Sequence, residues 1–193
     1  MKRFGQTMLA LVAAASISAC AGDNNSKADD AAAGATGTTG TAGTSTDIDR
    51  SWINDQLVDG DKEVRLGRLA QERASNADVR AFGAMMVEKH TMAGTDLKRI
   101  ANRHNVPADE SRKDEGNDDF ERLSKLSGPE FDRAYLDLMV EEHEDAEDAL
   151  EGKAGDNDEH ADVKEWATKT LPEVRQHLER AKSLRERLDR SNQ

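Results

Sequence analysis

Three histidines recur in a shared local setting. Met86-Val87-Glu88-Lys89-His90 and Met139-Val140-Glu141-Glu142-His143 are near copies, and Val174-Arg175-Gln176-His177 keeps the valine three positions before the ring. Residues three and four apart share a helix face. Each imidazole therefore falls on an apolar stripe, with similar neighbours behind it. Carboxylates lie on adjoining positions. Glu147 is four residues after His143, Glu173 is four before His177, and Glu63 shares a row with Leu66, Ala70 and Ala74, from which it can meet His90. Imidazoles and carboxylates converging in a helical core suit iron, manganese or zinc. The thioethers of Met86 and Met139 would also admit copper. The same residues fit a plainer reading, in which each histidine is a core residue hydrogen-bonded to a carboxylate and each methionine fills space. His104 and His160 fall at helix ends.

The elements that must position these side chains are helices. Four long segments have a helical period and no stretch alternates as a strand does. The first runs from about Asp49 to Ala74 on Ile53, Leu57, Val64, Leu66 and Leu69, with Gly60 a candidate kink. The second starts near Ser75, which with Asp78 reads as a capping arrangement, and ends at Val106-Pro107. A charged loop over 108–118 leads to a short helix carrying Phe120, Leu123 and Leu126. Ser127-Gly128-Pro129-Glu130 then reads as a helix start with Ser127 as cap. That third long helix carries Phe131, Tyr135, Leu138, Met139 and Leu150 up to a polar break over 152–158. The fourth spans about Glu159 to Leu188 with Pro172 inside it, where a kink is expected. Four apolar stripes with short connections predict an all-α, antiparallel, up-and-down four-helix bundle over residues 47–193.

The N-terminus reads as an address. Lys2 and Arg3 precede an apolar run from Met8 to Ile17, which is shorter than the roughly 20 residues a membrane-spanning helix needs. Residues 1–19 have the order of a secretory leader. From Ala21 to Thr46 the chain is Ala, Gly, Thr, Ser, Asp and Asn with the single Lys27, without an aromatic or large aliphatic residue. Such a stretch cannot bury enough surface to offset its ordering entropy. Read as a flexible tether of about 26 residues, it would reach roughly 28 Å.

Composition narrows the partners. The formal charge is −12, and loss of residues 1–19 would remove Lys2 and Arg3 and leave the chain more acidic still. A protein so charged is repelled by nucleic acid, so no nucleic-acid partner is expected. Apolar residues make up 36% and aromatics 4%, which implies a narrow core of Leu, Val, Ala and Met. No Gly-rich phosphate loop or Ser-His-Asp set is recognisable.

Two resemblances add to this reading. Ile17-Ser18-Ala19-Cys20 resembles the lipobox of bacterial lipoproteins. It implies cleavage before Cys20, a diacylglycerol on its sulfur, and usually a fatty acyl group such as palmitate on its amine. Ala21, in place of Asp, implies the outer membrane, with the folded part facing the periplasm. The chain from about Asp49 to Leu184 resembles the bacterial envelope proteins grouped as domain of unknown function 4142. The matching pieces are Gly60-Asp61-Lys62-Glu63-Val64, the two Met-Val-Glu segments, Phe131-Asp132-Arg133-Ala134-Tyr135, and Leu171-Pro172-Glu173-Val174 with His177-Leu178. The resemblance implies a ferritin-like fold and carries over Glu63, His90, His143 and His177. Ferritin-like di-iron proteins use Glu-x-x-His on two helices. Val87, Val140 and Val174 stand at that position here, which points away from a di-iron oxidase or iron store and stays compatible with a mononuclear or weakly held metal. Two function classes stay open: a metal-binding bundle with a part in envelope stress, and a non-catalytic acidic scaffold or partner-binding lipoprotein without metal.

Overall fold

A computed structural model describes residues 47–191. The leader, Cys20 and the tether fall outside the described residues. Within them the chain forms α1 (Arg50–Arg73), α2 (Ala77–Arg103), a 3₁₀ turn (Glu110–Arg112), α3 (Asn117–Ser124), α4 (Gly128–Gly155) and α5 (Ala161–Ser191). The described part is a helical bundle with no strand. No described helix is long and apolar enough to cross a membrane.

Local chemistry starts the helices. The Asp49 carboxylate accepts from the Trp52 amide at 3.0 Å and caps α1. Asn76, not Ser75, caps α2, accepting from the amides of Asp78 and Val79. The Ser75 hydroxyl is taken by Asp132 instead, which is why the cap moves one residue along. Ser127 sits at the start of α4 without a side-chain capping bond, and the turn into the helix is made by Gly128 at φ 64°. That left-handed conformation is cheap only for glycine. α1 runs unbroken through Gly60, and α5 is one helix through Pro172.

The long helices pair as two hairpins. Leu69 and Ala70, late in α1, share a buried cluster with Val79 and Phe82, early in α2. Trp52 and Ile53, early in α1, share another with Leu97 and Ile100, late in α2. The two helices are therefore antiparallel. The same test pairs Phe131 and Tyr135 of α4 with Ala181 and Leu184 of α5 at one end, and Leu150 with Val163 and Trp166 at the other.

The connection between the hairpins is not short. α2 ends beside Trp52, whereas α4 begins beside the α1–α2 turn, where Asp132 binds Ser75 and Asn76. The chain between them climbs along α1. Asn54 donates to the Pro107 carbonyl, Arg112 pairs with Asp55, and Arg65 reaches Asn117 and the Glu115 carbonyl. This is a long crossover, the connection that marks ferritin-like bundles. It replaces the uniform up-and-down order: α2 and α4 run the same way. Polar anchoring on α1 explains why a stretch so rich in charge crosses the bundle.

The α1–α2 hairpin is drawn close by two glycines. A Cβ on Gly83 would lie 2.7 Å from the Gly67 carbonyl oxygen and 2.8 Å from the Ala70 Cβ. Only hydrogen fits on either residue at that approach.

Candidate metal centre

The two apolar clusters do not join. One holds Leu66, Met86, Met139 and Leu178, and the other holds Ala93, Ala146 and Val174. Between these levels lies a polar layer with one residue from each long helix: Glu63 on α1, His90 on α2, His143 on α4 and His177 on α5. The Met-Val-Glu repeat places His90 and His143 at one depth, because α2 and α4 run the same way and each ring follows its methionine by four residues. His177 reaches that level from the opposite direction, with Val174 in the other cluster.

The three rings form a nearly regular triangle. Their centroids are 5.6 Å apart for His90–His143, 5.4 Å for His90–His177 and 5.6 Å for His143–His177. One nitrogen from each lies within 4.8 Å of the others. His143 and His177 are buried, at 0% and 2% exposure.

Glu63 stands behind this triangle. Its Oε2 is 2.5 Å from His90 Nδ1 and its Oε1 is 3.4 Å from His143 Nδ1. The Met139 carbonyl also accepts from His143 Nδ1 at 2.9 Å. A carbonyl and a carboxylate can only accept, so both Nδ1 atoms carry hydrogen and both Nε2 atoms are turned the other way. Those Nε2 atoms have no hydrogen-bond partner, and neither does either nitrogen of His177. Buried polar atoms without partners are rare and costly. One nitrogen from each of the three rings faces one small volume.

Electrostatics set the protonation. Burial alone would raise the Glu63 carboxyl, but the adjacent His90 and His143 outweigh it and hold it at about 2. Burial would lower His90, and the Glu63 carboxylate reverses this, so its pKa rises. His143 is lowered by burial, only partly offset by Glu63. His177 is lowered to about 3 by burial together with the neighbouring rings. His143 and His177 thus present neutral imidazole lone pairs near neutral pH, whereas His90, paired with Glu63, gives up a proton to bind a metal.

The other two expected carboxylates pair with cations of the neighbouring helices. Glu147 is bound by Arg175 Nε at 2.7 Å, and Glu173 faces Lys89 at 3.6 Å. A step of four residues overshoots a full turn by about 40°, enough to let these side chains swing to surface cations. Glu63 was expected among the ligating atoms. It instead spends both oxygens on Nδ1 hydrogens. Met86 and Met139 are fully buried in the adjoining apolar cluster. A cavity of about 470 Å³, lined in part by Glu63, His90, Glu173 and His177, opens beside the rings.

Sequence spacing did not single out a second grouping. His104, His160 and Asp162 also place ligand atoms within 4.8 Å of one another. Their only signal was His160 and Asp162 two apart at the start of a predicted helix.

The geometry can be set beside known proteins. The domain of unknown function DUF4142 matches residues 33–184, and the chain belongs to that family. A DUF305 protein from Streptomyces coelicolor, described as secreted, has a similar solved structure, with a TM-score of 0.62 and 14% identity over 72% of this chain and 91% of that one. At that identity the likeness is one of fold. No curated protein matches the chain.

Proposed function

We propose that this protein is a lipid-anchored envelope protein whose bundle holds one transition-metal ion. The ligands are His90, His143 and His177, and Glu63 is the carboxylate that orients them. The observation that carries this reading is the set of buried, unpartnered nitrogens on three helices around one volume. Three atoms no more than 4.8 Å apart lie within about 2.8 Å of a common centre, so each need move less than roughly 1 Å to make a metal bond of about 2.1 Å. Metal-binding histidines donate their other ring nitrogen to a carboxylate or backbone carbonyl, and that is what His90 and His143 do. An all-imidazole set favours zinc, copper or iron over manganese, which prefers oxygen. The cavity beside the rings leaves room for a fourth, exchangeable ligand.

Anchoring rests on the lipobox-like Ile17-Ser18-Ala19-Cys20 and the tether-like composition after it. An acyl CH₂ buried in a bilayer contributes about 0.8 kcal/mol, so two chains suffice for stable attachment. The outer-membrane placement rests on Ala21 alone.

The test is metal analysis of the full chain carrying Cys20→Ser, reloaded in turn with zinc, copper and iron. A matched H90A/H143A/H177A chain is the control. One equivalent lost in the control is the expected result. Equal metal in both would end the metal reading. Palmitate labelling of the unmutated chain, abolished by Cys20→Ser, is the expected outcome for the anchor.

A further inference from the structure

The chain has five histidines, and the fold gathers all of them into two groups. The second group lies at the end of the bundle where α2 stops and α5 starts. His104 follows α2 as its C-cap, His160 precedes α5, and Asp162 is in the first turn of α5. Fourteen residues along α2 separate His90 from His104, a rise of about 21 Å. This group is independent of the core triangle.

Its contacts are those of a donor set. His104 Nε2 is 2.7 Å from Asp162 Oδ2. The His104 and His160 rings are 4.4 Å apart at 72°, and one nitrogen of each lies within 4.8 Å of the other and of the Asp162 carboxylate. A His–Asp hydrogen bond alone needs no second imidazole. Two imidazoles and a carboxylate are a common set for zinc, with water in the fourth place. Side chains of His104 and Asp162 are only 25% and 31% exposed, so the donors are partly shielded yet reachable by solvent. Two features compete with an ion. Arg103 shares Asp162 Oδ2 at 3.0 Å, and His160 Nδ1 accepts the Asp162 amide at 3.2 Å. Both are contacts at an edge open to water, where a charged head or a ring can be exchanged at small cost.

We infer that His104, His160 and Asp162 form a second, exchangeable site for a divalent transition metal, best suited to zinc, that ties the end of α2 to the start of α5. The site stands apart from the core triangle and does not rest on it.

The test is a zinc titration of the full Cys20→Ser chain at pH 7.4 against a chromophoric chelator, in parallel with H104N/H160N and D162N variants of that chain. The altered residues lie at the bundle end, and circular dichroism checks that the helices persist. The expected result is one zinc equivalent fewer in H104N/H160N, and a Kd for that equivalent at least tenfold weaker in D162N. Identical stoichiometry and affinity in parent and variants overturn the inference. A failing core site would lower the parent and the H104N/H160N chain alike and leave their difference intact, so the two readings fail separately.

Discussion

His90 Nδ1 lies 2.5 Å from Glu63 Oε2, and this contact joins two helices across the centre of the bundle. It places an acid in a nearly buried position beside the cavity and fixes which edge of the imidazole looks inward. Glu63 is 5% exposed, so its charge is expensive to keep and is kept only because His90 and His143 face it. A carboxylate in that position raises the basicity of an imidazole and locks its tautomer. The first prediction follows from this role. Glu63→Gln keeps an acceptor of the same size and loses the charge. Metal affinity is expected to fall about 10–100-fold, the usual effect of losing an orienting partner. Competition with a chelator of known affinity measures it. An affinity equal to the parent's would mean that Glu63 does not orient the rings.

Acid should weaken the metal-free protein through His177. Its folded pKa is about 3 against an ordinary 6.5, so the unfolded chain takes up the proton first. Stability is then complete above about pH 6.5 and declines as pH falls toward 3. Glu63, also depressed, adds to the loss between its ordinary 4.5 and about 2. His90 has the opposite sign: its raised pKa stabilises the fold below 6.5 and gives that up as pH rises through its folded value. Comparing slopes isolates His177. Urea unfolding of the chelator-treated parent and of His177→Phe, at pH 6.5 and 4.5, should show the variant losing about 2 kcal/mol less over that interval. Parallel slopes would show that His177 is not held neutral.

The bundle, its helix ends to within a few residues and the triangle of rings were all legible in the sequence, and for one reason. Apolar spacing reports which side chains share a face, and the Met-Val-Glu repeat reports a common depth for His90 and His143. What the spacing could not carry was direction and competition. Glu147 and Glu173 were drawn toward the rings by their four-residue offsets, yet Arg175 and Lys89 lie nearer to them in space. Ser75 looked like a cap because nothing local reveals Asp132, which arrives from α4 and takes its hydroxyl. The crossover was hidden because the anchors of residues 107–117 are on α1, far away along the chain. His104 and His160 drew no interest as helix ends, since only the pairing of α2 with α5 brings them together.

The close approach of α1 and α2 gives a prediction of opposite signs at two glycines. Both Gly83 and Gly94 lie inside α2. Alanine is worth up to about 1 kcal/mol over glycine in a helix interior when it has room. At Gly94 a Cβ meets nothing within 4 Å, so Gly94→Ala is expected to stabilise by several tenths of a kcal/mol up to about 1. At Gly83 the Cβ would meet backbone oxygen and Ala70, neither of which can turn aside. Overpacking of about 1–3 kcal/mol outweighs the helical gain there. Gly83→Ala should therefore lower the thermal midpoint and Gly94→Ala should raise it. Shifts of the same sign would show that the helices are not held at this distance.

Asp132 offers the sharpest test of how the two hairpins are joined. Its side chain is buried, at 1% exposure, with Oδ1 accepting from the Ser75 amide at 2.9 Å and Oδ2 accepting from the Ser75 hydroxyl at 2.5 Å and the Asn76 amide at 2.9 Å. One carboxylate thus satisfies two backbone donors in the α1–α2 turn from the first turns of α4. Hydrogen bonds to a charged acceptor are worth about 1.5–3 kcal/mol, and an orphaned buried donor costs a similar amount. Asp132→Asn keeps one oxygen but turns an NH₂ toward a remaining donor, so at least one amide loses its acceptor. The expected loss is about 3 kcal/mol. Ser75→Ala removes only the hydroxyl bond and leaves both amides paired, so its loss should be near 1 kcal/mol. Urea denaturation of the two variants orders them. Were Ser75→Ala the more damaging, the carboxylate would be serving the hydroxyl alone, and the turn would be held by its own Asn76 cap rather than by α4.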